Sequence, residues 1–398
     1  MTKTPSRKPP GKLSGRTSPV RDVTRHIPWP TKLLLAVRAG GRCEFDGCNE
    51  YLFEHHVTLR EGNFAQLAHI VAFSDIGPRA EAGKRPTDVH ALDNLVLLCH
   101  RCHKQIDDHP ADFTRAALQS QKADHEARVR FLTDLRPDRK TAVVQFKARV
   151  RGQMVDIPNA DIATAVAPRY PTSKGGYLID LTGIDSDGIH YVQAGMECID
   201  RKLALFYVAG SDVDTARHVS LFAIGPIPLL AYLGSRLSDK IRVDLYQRHR
   251  NPGDWSWKND GLVVDYMTRR IGLGTNPGNV ALLLSLSGTV TRDRLATAID
   301  DSFSVYEISV ASAGPSPDFL RRRESLEAFR LEYRRFLAQI VREHPQTKQI
   351  HVFPAVPAPV AVACGLDRLR HVQPHLIIYN DEGPEKGFVA TLTIDDRG

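Results

Sequence analysis

The side chains best suited to metal chemistry in this sequence are four of its six cysteines, which lie in two close pairs. Cys43 and Cys48 are separated by four residues, and Cys99 and Cys102 by two, within the stretch NLVLLCHRCHKQID at 94–107. Four thiolates complete the tetrahedral coordination of Zn²⁺ and leave no open position for a substrate. We therefore predict a structural zinc site that ties the first pair to the helix beginning near Cys102.

Any reaction must then take place beside the zinc, and four polar residues surround the cysteine pairs. His103 and Asp107 would share one face of a helix at spacing i, i+4. An imidazole and a carboxylate suit a hard divalent cation such as Mg²⁺, which polarises a scissile phosphate. His69 could accept a proton from an attacking water. The amide of Asn94 could hold the loop that carries this base.

These side chains need two strands and a helix to bring them together. WPTKLLLAVRAGGRCEFDGC predicts a helix from about Thr31, stopped by Gly40-Gly41, followed by a turn that carries the first cysteine pair. FAQLAHIVAF is strand-like, and NLVLLCHRCHKQIDDHP begins as a strand and ends as a helix. The stretch SDIGPRAEAGKRPTDVHALD between them predicts a loop, and residues 111–135 predict a charged helix.

This pattern resembles the HNH endonuclease family in its four-cysteine ββα-metal form, over roughly residues 30–125. The matching stretches are CEFDGC, LAHIVAF and LDNLVLLCHRCHKQID. The resemblance implies that His69, Asn94 and His103 are catalytic. It also implies that His103 and Asp107 bind a catalytic Mg²⁺ or another divalent cation. Many members carry a further metal ligand just before the first histidine, where this chain has Ala68.

A second region begins after DLRPDRKT and alternates strand-like runs with helical patterns, which favours a mostly parallel α/β arrangement. The strand-like runs are YLIDLTG, LALFYVAG, HVSLFAIG, IRVDLYQR, ALLLSLSG, IHVFPAVP and HLIIYND. Three pairs of segments indicate an internal repeat: LFAIGPIPLLAYLG with VFPAVPAPVAVACG, LIDLTG with LLSLSG, and DLYQR with IIYND. Two related α/β halves would place a ligand cleft beyond the carboxyl ends of their strands.

The stretch LYQRHRNPGDWSWKND at 245–260 combines aromatic rings with basic residues, which suits stacked bases and phosphates. The alternative is that the tryptophans pack beneath a loop while the charges face water. Candidate ligand contacts here and at the strand ends are Thr182, Tyr246, Trp255, Trp257, Lys258, Ser287 and Pro357.

The second region resembles the SAVED domain, which looks like two fused CARF-type sensor units. The stretches that carry this resemblance are DLYQRHRNPGDWSW, LLLSLSG and HVFPAVPAPVAVACG, within residues 150–398. An HNH nuclease followed by a SAVED domain resembles the effectors of CBASS, a bacterial antiphage system. The resemblance implies activation by a cyclic di- or oligonucleotide made by a cGAS/DncV-like nucleotidyltransferase. It also implies assembly into a homo-oligomer, a dimer or ligand-induced tetramer, and non-specific cleavage of double-stranded DNA in abortive infection.

We therefore predict an α+β protein with a zinc-containing ββα-metal (HNH) domain followed by a mixed α/β SAVED domain of two CARF-like, Rossmann-like halves. The expected boundaries are a disordered basic arm at 1–25, the HNH domain at 26–135, a linker at 136–170 and the SAVED domain at 171–398. Its halves would cover about 171–275 and 276–398.

Charge and hydropathy restrict the location and the partners. Residues 1–42 hold ten Lys/Arg and one acid, Asp22, which suggests a polyanion partner or a solvated tail. No apolar run approaches the roughly 18 residues that span a bilayer, and the basic N-terminus does not resemble a secretory signal. We expect a protein of the bacterial cytoplasm, where paired cysteines favour metal over disulfides.

Two other functions fit the same residues. One is a restriction-type or mobile-element HNH nuclease whose second region reads a DNA sequence or modification. The other is a zinc-stabilised DNA-binding protein without catalysis. The near-neutral charge of the chain after residue 42 argues against a DNA reader there.

Overall fold

The computed structural model describes residues 26–74, 79–80, 86–150, 152–173, 175–185, 190–237, 240–295, 299–311 and 314–396. The chain divides into two compact units, Met1–Asp134 and Leu135–Gly398. The predicted basic arm at 1–25 lies outside the described residues.

The described residues of the first unit form two antiparallel strands and three α-helices. They are α1 (Trp29–Arg38), β1 (Gln66–His69), β2 (Leu95–Leu98), α2 (His100–Asp108) and α3 (Arg115–Thr133). Every residue of β2 is buried, and Leu35 of α1 and Leu118 of α3 pack in the same core. The register places His69 opposite Leu95, so the exit of β1 lies beside the entry of β2.

Two glycines direct the chain from α1 into the turn that holds the first cysteine pair. Gly40 and Gly41 have φ angles of +61° and +68°, which side chains other than glycine rarely adopt. A Cβ on Gly41 would also lie 2.9 Å from the ring of Tyr51. The predicted helix stop is therefore a close turn that only glycine fits.

The second unit contains two sheets. The first is fully parallel and holds β3 (Lys140–Lys147), β4 (Tyr170–Pro171), β5 (Tyr177–Asp180), β6 (His218–Ile224) and β7 (Arg242–Tyr246). The second has the order β13-β12-β11-β9-β10-β8. Its strands are β8 (Tyr266–Gly272), β9 (Val280–Ser285), β10 (Ser304–Val310), β11 (Gln349–Ala355), β12 (His375–Asp381) and β13 (Phe388–Ile394). Among the described strands of this sheet, the outer strands β8 and β13 alone pair in the antiparallel sense.

Helices of the second unit connect these strands. They are α4 (Asn159–Val166), α5 (Tyr191–Phe206), α6 (Asp212–Ala216), α7 (Ile227–Arg236), α8 (Arg323–Glu343) and α9 (Ala358–Leu366). LALFYVAG, which the sequence analysis assigned to a strand, is helical as far as Phe206. The reason is periodicity: Ile199, Leu203 and Phe206 are buried at helical spacing on one face of α5.

The two halves of this unit share one topology. The equivalent elements are β3 and β9, β5 and β10, α5 and α8, β6 and β11, α7 and α9, and β7 and β12. Two of the three predicted repeat pairs therefore match equivalent elements. The pairing of LIDLTG with LLSLSG was wrong, because the first belongs to β5 and the second to β9.

The strand pairing also corrects two predicted boundaries: that of the linker at 136–170 and that between the two halves near residue 275. Residues 136–170 contain β3, the strand that pairs with β4, β5 and β6. This segment is therefore part of the sheet, and six of the eight residues of β3 are buried. In addition β8, expected in the first half, pairs with β10 in the second sheet. A sheet needs its central strand regardless of sequence distance, which local patterns do not reveal.

Within the described residues, no helix combines the length and the apolar composition that a membrane crossing requires.

Candidate functional site

The four paired cysteines form one cluster in the first unit. The Sγ atoms of Cys43, Cys48, Cys99 and Cys102 all lie within 4.8 Å of one another. Four Zn–S bonds of about 2.3 Å place tetrahedral sulfurs roughly 3.8 Å apart, so a zinc ion fits with little movement. The backbone N–H of Cys99 donates to Cys43 Sγ at 3.3 Å, and that of Cys102 donates to Cys99 Sγ at 3.4 Å.

Different elements contribute the two cysteine pairs. Cys43 and Cys48 lie in the turn after α1, which is closed by the bond from Cys43 N–H to the carbonyl of Glu50. Cys99 caps α2, and Cys102 lies in its first turn. A bound ion would therefore join the turn to α2, as the spacing predicted. Among the described residues, no other group of three potential metal ligands comes this close together.

Asn94 fixes the backbone around the end of β1. Its side chain is buried, and its Oδ1 accepts the N–H of Val71 at 2.8 Å. Its Nδ2 donates to the carbonyls of Val71 and Val89 at 3.2 and 3.0 Å. This arrangement is the one expected of an amide that holds the loop carrying His69. The amide is fully engaged with backbone and acts on the site only through position.

His69 and His103 lie in one polar region at the end of β1 and the start of α2. Burial, then the charges of His90, Arg79 and His103, lower the pKa of His69. Burial also lowers the pKa of His103. A lowered pKa favours the neutral imidazole, which is the form that can accept a proton or bind a metal. No spacing in the sequence selects His90, whose Nδ1 lies 3.3 Å from Nε2 of His69.

Asp107 faces His103 one helical turn away, with Oδ2 at 3.5 Å from Nε2. The two side chains are about one-third exposed, so they are accessible to solvent. Because Mg²⁺ is commonly held by one or two protein ligands together with water and phosphate oxygens, this pair fits such an ion. The other carboxylate oxygen of Asp107, Oδ1, pairs with Nη1 of Arg79 at 2.8 Å. Sequence reasoning missed Arg79, which lies in the stretch predicted to be a loop.

The second unit contains a cavity of about 990 Å³ between its two halves. Its lining follows the carboxyl ends of β3, β6, β7, β9 and β11, where a parallel sheet binds ligands. The polar and charged lining residues are Gln153, Gln247, Arg248, His249, Arg250, Asn251, Ser287, Asp318 and Arg321.

This cavity is positively charged. Arg321 pairs with Asp260 at 2.7 Å, whereas no carboxylate pairs with Arg248 or Arg250 within the part of the chain that the structure describes. The first residues of α7 and α9 also line it, and neither helix has a side-chain cap at its N-terminus. Uncapped N–H groups and the helix dipole both favour an anion.

Three buried polar atoms at this cavity have no hydrogen-bond partner among the described residues. They are Gln247 Oε1, Arg248 Nε and His249 Nε2. Because buried polar atoms are normally satisfied, a polar ligand that reaches them would supply the missing partners.

Of the four predicted ligand residues that are not aromatic, two line the cavity and two do not. Ser287 and Pro357 line the cavity. Thr182 lies outside its lining, and its carbonyl accepts a hydrogen bond from Arg149 at 2.9 Å. Lys258 pairs with Asp254 at 2.6 Å.

The burial of the aromatic candidates corrects the prediction that their rings contact a ligand. Trp255 is 0% exposed and Tyr246 is 4% exposed, and both pack against Phe222 in a core cluster. Trp257 is half-buried beside the same cluster. These rings pack beneath the loop, as the alternative interpretation proposed, and Trp255 and Tyr246 do not stack on a ligand. Arg248 and Arg250, basic residues of the same stretch, line the cavity instead, together with Arg321, which the sequence analysis did not single out.

Comparison with known proteins gives one family match and several structural neighbours. Residues 204–394 match the SAVED family, described as the SMODS-associated and fused to various effectors sensor domain. This part of the chain is therefore a SAVED domain. No curated protein matches the sequence.

The structural neighbours include Cap4 receptors that contain SAVED/CARF domains. The Acinetobacter baumannii receptor with the cyclic trinucleotide 3′3′3′-cAAA is 10% identical, with a TM-score of 0.42, over 74% of this chain and 61% of that one. The same receptor with 2′3′3′-cAAA is 12% identical, with a TM-score of 0.40 and the same coverage. The Moraxella osloensis receptor is 11% identical, with a TM-score of 0.36, over 74% and 60%. This chain thus spans about three-fifths of these receptors.

Proposed function

We propose that this chain, whose residues 204–394 form a SAVED domain, is a ligand-gated endonuclease. The SAVED domain would bind a cyclic oligonucleotide, and the first unit would then cut double-stranded DNA. The observation that carries the nuclease part is the grouping of His69, Asn94 and His103 beside a four-thiolate cluster at the junction of two strands and a helix.

The proposed reaction divides the work among these residues. His69 is the general base that takes a proton from the attacking water. His103 and Asp107 would hold a divalent cation, which stabilises the leaving oxyanion when bound. Asn94 keeps the His69 loop in place through Val71 and Val89. The zinc would have a structural role only, because four sulfur ligands leave no coordination position for substrate.

The proposed ligand follows from the charge and size of the cavity. Arg248, Arg250 and the starts of α7 and α9 together favour a ligand with more than one phosphate. The volume of about 990 Å³ is at the upper end of ordinary small-molecule pockets, which suits a cyclic di- or oligonucleotide. The description of the SAVED family as a sensor domain supports the same assignment.

Gating would prevent damage to the host's own DNA. A ligand that binds an assembled form more tightly shifts the population toward that form. Two nuclease units brought together could then cut both strands. We propose that this serves antiphage defence of the CBASS type in the bacterial cytoplasm, with a nucleotidyltransferase as the source of the ligand.

Plasmid cleavage tests the nuclease part. With Mg²⁺ and a panel of cyclic di- and trinucleotides, the wild-type chain should linearise and degrade plasmid DNA only when one panel member is present. His69→Ala should reduce the rate by more than 100-fold, because the general base is lost. His56→Ala, an exposed histidine in the same unit, is the matched control and should cleave normally. Cleavage without any cyclic nucleotide would instead favour the restriction-type alternative.

Calorimetry tests the sensor part separately. Arg250→Ala should weaken binding of the activating nucleotide by at least tenfold, since it removes a cavity cation facing phosphate. Arg342→Ala, an exposed arginine on α8, is the control and should bind like the wild type. Equal affinity of Arg250→Ala and the wild type would place the ligand elsewhere.

A further inference from the structure

We propose that Arg79 is a positioning residue that joins the general base to the cation-binding carboxylate in the first unit. This inference rests on the proposed nuclease function and goes beyond it, because it assigns a role to a residue outside the HNH pattern. Arg79 follows His69 by ten residues and belongs to neither strand nor helix of the ββα unit.

The Arg79 side chain is buried, with 8% of its surface exposed, and it donates four hydrogen bonds to two elements. On the β1 side, Nη2 donates to the carbonyl of His69 at 3.1 Å and Nε to that of Ile70 at 3.3 Å. On the α2 side, Nη1 donates to the carbonyl of Ile106 at 2.6 Å and to Asp107 Oδ1 at 2.8 Å. One planar guanidinium therefore sets the distance between the exit of β1 and the last turn of α2.

These bonds determine which oxygen of Asp107 is available. Because Oδ1 is held by Arg79, the carboxylate is oriented with Oδ2 toward Nε2 of His103, at 3.5 Å. The two atoms suited to a cation thus converge on one side of α2. The same guanidinium holds the main chain of His69, so the base and the cation site move as one body.

The backbone conformation of Arg79 indicates that this position is constrained by its side chain. Its φ is +61°, in the left-handed region that non-glycine residues seldom occupy. Such conformations persist where surrounding contacts enforce them, and here the four donated bonds supply the constraint. An ion pair that served stability alone would not need the carbonyl of the base as a partner.

The test compares Arg79→Ala and Arg79→Lys with Arg60→Ala, an exposed arginine in the same unit. Zinc content and circular dichroism establish that each full-length variant is folded. Plasmid cleavage is measured with and without added guanidinium chloride at low millimolar concentration. Mn²⁺ binding is measured by calorimetry, without DNA, as a readout that is independent of activity.

We expect Arg79→Ala to cleave at least 30-fold more slowly and to bind Mn²⁺ at least fivefold more weakly than the wild type. Guanidinium should restore part of the cleavage by Arg79→Ala, whereas Arg79→Lys should stay impaired because an ammonium cannot span both elements. Arg60→Ala should match the wild type in both assays. Cleavage and Mn²⁺ affinity at wild-type levels in a folded Arg79→Ala would overturn the inference. If the wild-type chain never cleaved DNA, the proposed function would fail, and the Mn²⁺ comparison would still decide the role of Arg79.

Discussion

At the residue scale, Trp255 shows how an aromatic side chain in a polar stretch can be part of the core. Phe222 stacks on Tyr246 with ring centroids 4.4 Å apart, and Trp255 meets Phe222 edge-on at 5.3 Å. The second half repeats this trio: Phe353 stacks on Tyr379 at 4.2 Å, and Phe388 meets Phe353 edge-on at 5.5 Å. Trp255 therefore takes the structural place of Phe388, and its ring packs on the first sheet beside Phe222 and Tyr246.

Replacing Trp255 with alanine should destabilise the second unit. Truncating a fully buried aromatic residue costs about 3–5 kcal/mol, and Trp255→Phe should cost less because most of the ring volume remains. Urea unfolding followed by circular dichroism measures the difference. Trp29→Ala, at a tryptophan that is 70% exposed, is the control and should change stability little. A Trp255→Ala variant as stable as the wild type would contradict this core role.

At the element scale, α7 and α9 cross at two glycines in equivalent positions of the halves. A Cβ on Gly234 would lie 1.9 Å from the carbonyl oxygen of Val362, and one on Gly365 would lie 1.9 Å from that of Ala231. The two backbones are thus in direct contact. Because both helices begin at the cavity, this contact determines how their N-termini face it.

A methyl group at either glycine should force the helices apart. We expect Gly234→Ala and Gly365→Ala each to lower the free energy of unfolding by about 1–3 kcal/mol, since backbone atoms must move. Gly183→Ala adds a methyl in open space and is the control. Thermal unfolding of the three variants measures the effect, and near-wild-type melting of both crossing variants would show that the contact is looser than described.

A metal bound by the four cysteines would join the turn after α1 to the start of α2 in the first unit. Cys99→Ser should reduce bound zinc well below one equivalent per chain, because a serine hydroxyl is a poor zinc ligand. Since structural zinc contributes folding energy, thermal unfolding of this unit should begin at lower temperature. Elemental analysis and calorimetry measure the two effects. Cys198→Ser, outside the cluster, should retain the metal, and full zinc in Cys99→Ser would refute the four-sulfur assignment.

At the scale of the whole molecule, a buried polar network joins the two halves of the second unit. His218 Nε2 lies 3.2 Å from Asp244 Oδ2, and Arg323 at the start of α8 pairs with Asp244 Oδ1. Thr141 bonds Nδ1 of His218 at 2.8 Å. These residues lie at the amino ends of β3, β6 and β7, away from the cavity. Arg323 therefore links the second half to the first sheet at the end opposite the cavity.

The second unit should lose stability in acid because of this network. Burial alone would raise the pKa of Asp244, but the hydrogen bond from His218 and the charge of Arg323 outweigh burial and hold the pKa well below its usual range. The unfolded chain therefore takes up a proton first as the pH falls through about 4, and the free energy of unfolding decreases below that pH.

The variant Asp244→Asn tests whether Asp244 causes this loss of stability in acid. It should lower stability at pH 7 by about 2 kcal/mol, because the buried carboxylate no longer pairs with His218 and with the partly exposed Arg323. Its unfolding free energy should also change less than that of the wild type between pH 5 and pH 3. Urea titrations at several pH values measure both, with the surface variant Asp138→Asn as control. An unchanged pH dependence in Asp244→Asn would assign the acid sensitivity to other groups.

Local patterns in the sequence were sufficient for the cluster of four cysteines, for β1, β2 and α2, and for most strands of the second unit. Each of these depends on spacing within a few residues, such as Cys99 to Cys102 or the apolar run of β2. The tertiary structure alone placed β3 at the centre of a sheet, brought Arg79 to Asp107, and buried Trp255 while Arg250 lines the cavity. These features depend on contacts between distant segments, and whether an aromatic or basic side chain faces a ligand or the core follows from packing that no local period encodes.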